Sequence, residues 1–217
     1  MKSKDLITIL IIGIGTFILT RKVKAQSPLV ENPDIVETLR NADLGIDINN
    51  TELNVMQYAD IMLYEGARQG IAPEIIAGII RQESGGQPVT QTWEPKVNQY
   101  SYGLMQMLPS TANDLKASYP SLKYVYPESL FLPDVAIEIG TCYLAVNLNK
   151  YRTNPKINPI TDMVASYNAG AAYVSGNIYT NQSYVSNVMS YKTRFRLMFS
   201  YLYPTYSSQF PVSSWGS

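Results

Sequence analysis

Apolar residues recur at helical spacing through most of the chain after residue 54. The residues of the first such face are Val55, Ala59, Met62 and Leu63. This spacing predicts a helix; Gly70 ends it, and Pro73 suits the first turn of the next one. The second helix is apolar on most of its faces as far as Glu83, so it is expected to be central and buried.

The rest of the chain predicts more helices and little else. Further helices are expected to begin at Pro109-Ser110-Thr111, at Pro133-Asp134, at Thr161-Asp162 and at Tyr184. Residues 85–102 are predicted to be a long polar loop, and no alternating run is long enough to indicate a sheet. The pattern therefore predicts an all-α fold with a single helical domain at 54–203. Residues 26–53 are interpreted as a linker with one short helix near 33–40, and 204–217 as a C-terminal tail.

Residues 1–25 form a hydrophobic segment with positive charge on both flanks. As a helix, the apolar run from Leu6 to Thr20 would rise about 22 Å, which is less than a hydrocarbon core of about 30 Å. One interpretation is an uncleaved membrane anchor through residues 6–20. The other is a signal peptide cleaved after Ala25, which would give an exported soluble protein. We favour the anchor, because basic residues occupy the region where a cleavage site should be neutral.

Composition and charge exclude several classes of protein. The formal net charge is zero, and residues after 25 carry 12 basic and 16 acidic side chains, so no nucleic-acid partner is expected. The absence of histidine excludes Ser-His-Asp and Cys-His catalysis and histidine-bearing zinc sites. The single cysteine, Cys142, lies in a helical stretch and is expected to be a packed thiol. We therefore expect neither a metal site nor a cofactor.

Glu83 is the strongest candidate for chemistry. An apolar helix ends in this carboxylate, and glycines follow it at 85 and 86. Burial disfavours the charged form of a carboxyl group and so raises its pKa. Because a general acid at neutral pH needs a raised pKa, Glu83 is predicted to be a general acid.

Four short motifs in a fixed order carry a resemblance to a known family. They are Glu83-Ser84, Gly103-Leu104-Met105-Gln106, Tyr167-Asn168-Ala169-Gly170 and Tyr184-Val185. Each motif alone is weak, but the combination resembles the lytic transglycosylases of the soluble-lytic-transglycosylase (SLT) type, in the lysozyme-like superfamily. The resemblance covers roughly residues 55–195. Ala136 stands where the family usually has asparagine, which bears on packing more than on chemistry.

The resemblance implies a reaction on peptidoglycan. The family cleaves the β-1,4 bond between N-acetylmuramic acid and N-acetylglucosamine and leaves a 1,6-anhydro end. By that resemblance, Glu83 first protonates the glycosidic oxygen. As a carboxylate it then takes the proton of the sugar's C6 hydroxyl, and participation by the substrate explains how one carboxylate suffices.

The resemblance also implies a set of substrate-binding residues. They are Ser84, Gly103, Met105, Gln106, Tyr167, Asn168 and Tyr184. Ser84 would hydrogen-bond near the acid, and Gly103 would allow the sugar to approach closely. Gln106 would bind an acetamido or hydroxyl group, Met105 would form a wall of the cleft, and Tyr184 would bring its phenol to the active centre. The remaining two would border the reacting sugar.

Two alternatives remain open at the level of sequence. A hydrolytic muramidase would need a second carboxylate across the cleft, for which Glu94, Asp114, Glu128 and Asp162 are available. A non-catalytic peptidoglycan-binding protein tethered to a membrane is the other alternative. In each case the domain would face the cell wall from a bacterial envelope or from the membrane of a virion. It could also belong to a larger assembly, such as a secretion machine or a virion.

Overall fold

The computed structural model describes residues 32–170, 173–175, 178–211 and 214. The α-helices are α1 Pro33–Arg40, α2 Asn50–Met56, α3 Ala59–Gln69, α4 Pro73–Glu83, α5 Pro109–Ser118, α6 Pro133–Thr153, α7 Pro159–Ala169, α8 Gln182–Leu202 and α9 Tyr206–Gln209. The strands are β1 Gln91–Glu94, β2 Gln99–Tyr102, β3 Val174–Ser175 and β4 Ile178–Tyr179. A 3₁₀ turn spans Pro127–Phe131. The predicted helical fold is therefore confirmed.

Helix α4 is the centre of the domain, as its sequence predicts. Every residue from Ile71 to Ile80 is buried. Helix α8 packs along α4, and the two are closest where a Cβ on Gly78 would lie 3.0 Å from the carbonyl oxygen of Val188. Because Glu83 at the end of α4 meets Tyr184 at the start of α8, the two helices run antiparallel. This pair carries Glu83 and the hydroxyl that donates to it.

Residues 32–53 belong to the domain and are not a linker. Helix α1 lies where the short helix is predicted, and Leu39 on it is 1% exposed. Glu52 in α2 is fully buried and forms a salt bridge with Arg194 of α8, with Nη2 2.9 Å from Oε2. This pairing joins residues far apart along the chain, so local composition gives no sign of it.

The predicted C-terminal tail is also folded over residues 206–210. Tyr206 is fully buried, and its ring stacks on that of Phe199 with the centroids 5.2 Å apart. Its hydroxyl donates to the Glu74 carboxylate, which also pairs with Arg196 at 2.8 Å. The tail therefore closes the far end of the α4–α8 pair.

The predicted polar loop at 85–102 contains an antiparallel hairpin of β1 and β2. Its strands are four residues each, with Gln91 opposite Tyr102 and Glu94 opposite Gln99. Strands this short, exposed along most of β1, leave no apolar alternation in the sequence to reveal them.

The predicted membrane anchor, residues 1–25, lies outside the described residues. Among the helices that the structure does describe, none is long and apolar enough to cross a bilayer.

Candidate active site

Glu83 is the last residue of α4 and its carboxyl group is half-buried. The pKa of Glu83 is raised to about 7: burial is the largest cause, a hydrogen bond from Tyr184 acts in the opposite direction, and the negative charge of Glu94 adds to the rise. A carboxyl group with this pKa is populated in both protonation states near neutral pH. Glu83 can therefore both donate and accept a proton there, as a general acid–base must.

Tyr184 is the direct partner of Glu83. From the first turn of α8, its hydroxyl donates to Glu83 Oε1 over 2.5 Å. The phenol is 9% exposed, and burial, together with the charge of Glu83, raises its pKa well above the usual range. Tyr184 therefore remains a neutral donor that fixes the orientation of the carboxyl group.

Tyr167 connects α7 to the loop of residues 103–106. Its hydroxyl donates to the carbonyl oxygen of Met105 over 2.7 Å and lies 3.0 Å from Sδ of Met107. Burial raises the pKa of this phenol, and the nearby Glu83 charge adds to the effect. Its ring lies against that of Tyr143, with the centroids 5.5 Å apart. Tyr167 thus lies near Glu83, but its hydroxyl is hydrogen-bonded to the loop.

Gly103 begins a tight loop that reaches from the hairpin to α5. Backbone hydrogen bonds join Tyr102 and Met107 in both directions and close the loop. Gly103 has a φ of 75°, and a Cβ there would lie 1.8 Å from the carbonyl oxygen of Leu130. The close approach that requires glycine is therefore to the backbone of the 3₁₀ turn.

Gln106 holds the same loop from inside. Its backbone has a positive φ of 46°, which is uncommon for a residue with a side chain. Its side-chain Nε2 donates to the carbonyl oxygens of Thr90 and Gly103, and its Oε1 accepts from Ser101 over 2.9 Å. These bonds stabilise the loop and occupy the amide that was expected to bind the sugar.

Ser84 links the end of α4 to this loop. Its hydroxyl donates to the carbonyl oxygen of Leu104 over 2.8 Å, and the carbonyl of Ile80 lies 3.2 Å away. The expected hydrogen bond near the Glu83 carboxylate is thus replaced by a bond to the backbone. Ser84 acts on Glu83 by fixing the helix end that carries it.

Of the other two predicted positions, Met105 lies differently from expectation and Asn168 lies at the surface. The side chain of Met105 is fully buried and packs against α6 at Gly140, so its backbone carbonyl, not its thioether, is the part near Tyr167. Asn168 is exposed and accepts a hydrogen bond from Asn181 over 3.0 Å. Asn181 also donates to the carbonyl of Ala165 and so ties α7 to the start of α8, a contact that the sequence did not indicate.

The sequence matches a known family over most of this domain. It fits the profile of the Transglycosylase SLT domain over residues 60–189. Membrane-bound lytic murein transglycosylase C of Haemophilus influenzae (strain PittEE) is 29% identical over 146 residues, which cover 63% of this chain and 38% of that protein. The protein of the same name from Actinobacillus pleuropneumoniae serotype 5b (strain L20) is 32% identical over 132 residues, covering 57% and 33%.

Two solved structures share the fold. The 70 kDa soluble lytic transglycosylase of Escherichia coli has 23% identity and a TM-score of 0.55, covering 75% of this chain and 28% of that one. An inactive mutant of lytic transglycosylase Slt from Pseudomonas aeruginosa has 18% identity and a TM-score of 0.53, covering 81% and 38%. The chain thus spans less than half the length of the relatives and structures it matches. Because the profile covers more than half of it, the chain belongs to the SLT transglycosylase family.

The assembled groups suit proton transfer. One carboxyl group can be protonated at neutral pH, one phenol orients it, and a hydrogen-bonded loop fixes the helix end that carries it. Among residues 32–170, 173–175 and 178–211, no group of three or more Cys, Asp or Glu side chains is arranged to hold a metal ion.

Proposed function

We propose that this chain is a peptidoglycan-cleaving lytic transglycosylase with Glu83 as its general acid and base. The observation that carries the proposal is the Glu83 carboxyl group, half-buried at the end of α4 and bonded to the Tyr184 hydroxyl. Membership of the SLT family and the names of the lytic murein transglycosylases that it resembles support the choice of peptidoglycan as the substrate.

Glu83 would transfer a proton in each of two steps. In the first step it donates its proton to the oxygen between N-acetylmuramic acid and N-acetylglucosamine, and that bond breaks with its electron pair on the oxygen. The acetamido group of the muramyl sugar stabilises the positive charge left behind. In the second step the Glu83 carboxylate takes the proton of the C6 hydroxyl, whose oxygen closes onto the anomeric carbon. A pKa of about 7 suits both steps, because neither protonation state is strongly disfavoured.

The neighbouring residues would place the acid and the cleft. Tyr184 orients the carboxyl group, and Ser84 fixes the helix end beneath it. Tyr167 holds the 103–106 loop by its Met105 carbonyl. Asn168 is exposed at the end of α7 and is free to border the sugar. In this proposal Gly103, Met105 and Gln106 act by shaping the loop.

The mass of the released fragments tests this function. Full-length chain incubated with purified peptidoglycan is expected to release disaccharide peptides with 1,6-anhydro ends, each lighter by one water than the hydrolysed form. Mass spectrometry reads the difference directly. Release of reducing ends alone would identify a hydrolytic muramidase instead, and no release by folded protein would leave only a binding role.

We also propose that residues 6–20 hold the chain at a membrane that faces the cell wall. The relatives named membrane-bound support this, as does the apolar run itself. Because hydrophobic transfer is not screened by salt, the full-length chain is expected to remain with membranes after a high-salt wash. An intact N-terminus found by sequencing is expected with the anchor; a mature chain starting at Gln26 would mean an exported soluble enzyme. Participation in a secretion machine or a virion stays a prediction.

A further inference from the structure

The β1–β2 hairpin has two faces that differ in chemistry. Trp93 lies opposite Tyr100, and their rings meet edge to face with the centroids 4.9 Å apart. Since successive side chains of a strand point to opposite faces, Glu94 and Ser101 lie on the other face. Ser101 is 2% exposed there, so this second face packs toward the body of the domain.

Glu94 sits on that inner face, half-buried and beside the loop that supports the acid. Its Oε1 lies 3.3 Å from the hydroxyl of Ser101, and the same hydroxyl lies 2.9 Å from Oε1 of Gln106. The carbonyl oxygen of Thr92 also lies 3.3 Å from this hydroxyl. One hydroxyl proton cannot satisfy all three acceptors, and the shortest distance favours Gln106. Among the salt bridges of the described residues none includes Glu94 or Glu83. Within the part of the chain that the structure describes, Glu94 therefore presents a carboxylate that forms no salt bridge.

Repulsion from the Glu94 carboxylate is one of the causes that raise the pKa of Glu83. The groups that act on Glu83 are the Tyr184 phenol from α8, the Tyr167 phenol from α7 and the Glu94 carboxylate from β1. The two phenols are neutral at physiological pH, so Glu94 is the charged member of this set. If Glu83 is the acid, the bond to be cleaved must lie beside its carboxyl group and therefore near these three residues.

We propose that Glu94 is a second functional carboxylate beside Glu83, which stabilises the positive charge developing on the reacting sugar. The inference rests on the proposed transglycosylase function and deepens it. As the glycosidic bond breaks, its electron pair stays on the leaving oxygen, which receives the Glu83 proton, and the anomeric carbon becomes positive. A nearby carboxylate attracts that charge, most strongly where water is excluded. Glu94 itself gains and loses no proton.

The same carboxylate favours the second step. Repulsion between the two carboxylates makes ionised Glu83 a stronger base toward the C6 hydroxyl. When the C6 oxygen bonds to the anomeric carbon, its proton goes to Glu83, and one negative charge of the pair is relieved. A single anion on the hairpin therefore assists both proton transfers.

The test is the pH dependence of kcat/KM for the full-length chain acting on purified peptidoglycan, in wild type and in Glu94→Gln. We expect Glu94→Gln to lose about 10- to 100-fold in rate, from the lost attraction across the cleft. The alkaline limb of its profile is expected to move to lower pH, since kcat/KM reports the free enzyme's acid. Glu128→Gln removes the same charge from an exposed site on the 3₁₀ turn and is expected to change neither.

Tyr184→Phe is expected to move the alkaline limb in the opposite direction and is the positive control for the shift. The Tyr184 hydrogen bond lowers the pKa of Glu83, so its loss is expected to move the alkaline limb to higher pH. A rate loss in Glu94→Gln with the limb unmoved, while that of Tyr184→Phe moves, would show a merely structural role and overturn the inference. An unchanged rate in Glu94→Gln would also overturn the inference.

The products separate this failure from failure of the function itself. If wild type and Glu94→Gln both give anhydro ends and only the limb fails to move, the transglycosylase stands and the inference falls. If wild type gives reducing ends that Glu94→Gln abolishes, Glu94 is the base that activates water, and both proposals fall.

Discussion

Glu83→Gln is expected to abolish glycan cleavage while the chain stays folded. Gln has nearly the shape of Glu and can keep a hydrogen bond to Tyr184, but it cannot protonate the leaving oxygen. General acid–base catalysis contributes about 10²–10⁴-fold, and Glu83 would serve as both acid and base, so the loss should be at least that large. Release of soluble fragments from purified peptidoglycan measures it, with Glu128→Gln as the matched change at an exposed carboxyl group. A folded variant that keeps a tenth of the activity would remove Glu83 from this role.

The same substitution is expected to make the protein more stable above pH 7. The folded state raises the pKa of Glu83 from 4.5 to about 7, so it binds this proton more tightly than the unfolded chain does. Stability contributed by the group is therefore lost as pH rises between these values. Because one pKa unit corresponds to about 1.4 kcal/mol and the carboxyl group is partly exposed, the gain in Glu83→Gln should be about 1–3 kcal/mol at pH 8. Denaturant unfolding at pH 8 and pH 4 checks the sign: the gain should vanish at pH 4.

Gly103→Ala is expected to lower the free energy of unfolding by more than about 3 kcal/mol, through a forced backbone shift as well as strain at positive φ. The new Cβ would lie 1.8 Å from the carbonyl oxygen of Leu130, so either the loop or the 3₁₀ turn must move. Activity should fall as well, because the loop holds Ser84 and, through Met105, Tyr167.

Gly45→Ala is the matched control for that change. Gly45 has a φ of 66°, close to the 75° of Gly103, but a Cβ there meets nothing within 4 Å. It should therefore cost only about 1 kcal/mol, the price of the left-handed backbone alone. If denaturant unfolding gives both variants the same loss, the contact between Gly103 and Leu130 does not govern this loop.

The sequence predicted the features that depend on near neighbours. The apolar periodicity of α4 and the prolines at the starts of α4, α5 and α6 are local signals, and the structure has the helices where these signals place them. The family and the helical fold are also confirmed. The sequence could reveal the family because the four motifs are short and their order is visible in the chain.

The features that the sequence missed depend on residues far apart. Arg194 of α8 pairs with the buried Glu52, and Glu74 of α4 accepts from Tyr206 of the C-terminal segment. The predicted binding role of Gln106 overlooked its own backbone: at a φ of 46°, its amide is needed to hold the loop. Motif membership predicted which residues would lie near Glu83, but it could not say which atoms they use. Their roles toward the substrate stay predictions.

Because α4 and α8 pack antiparallel, a small tilt of one helix changes the distance between Glu83 and Tyr184. The two helices are closest at Gly78 and Val188. Glu83 lies five residues after Gly78 on α4, and Tyr184 lies four residues before Val188 on α8. At 1.5 Å per residue, Glu83 and Tyr184 each lie only about 6–8 Å along their helices from this point of closest approach. A tilt of one helix by about 4° would therefore separate the two oxygens by about half an ångström, enough to weaken the bond between them. The alignment of the Glu83 carboxyl group and the Tyr184 phenol is thus set where two buried residues meet, so repacking there would change the pKa of Glu83 without replacing either residue.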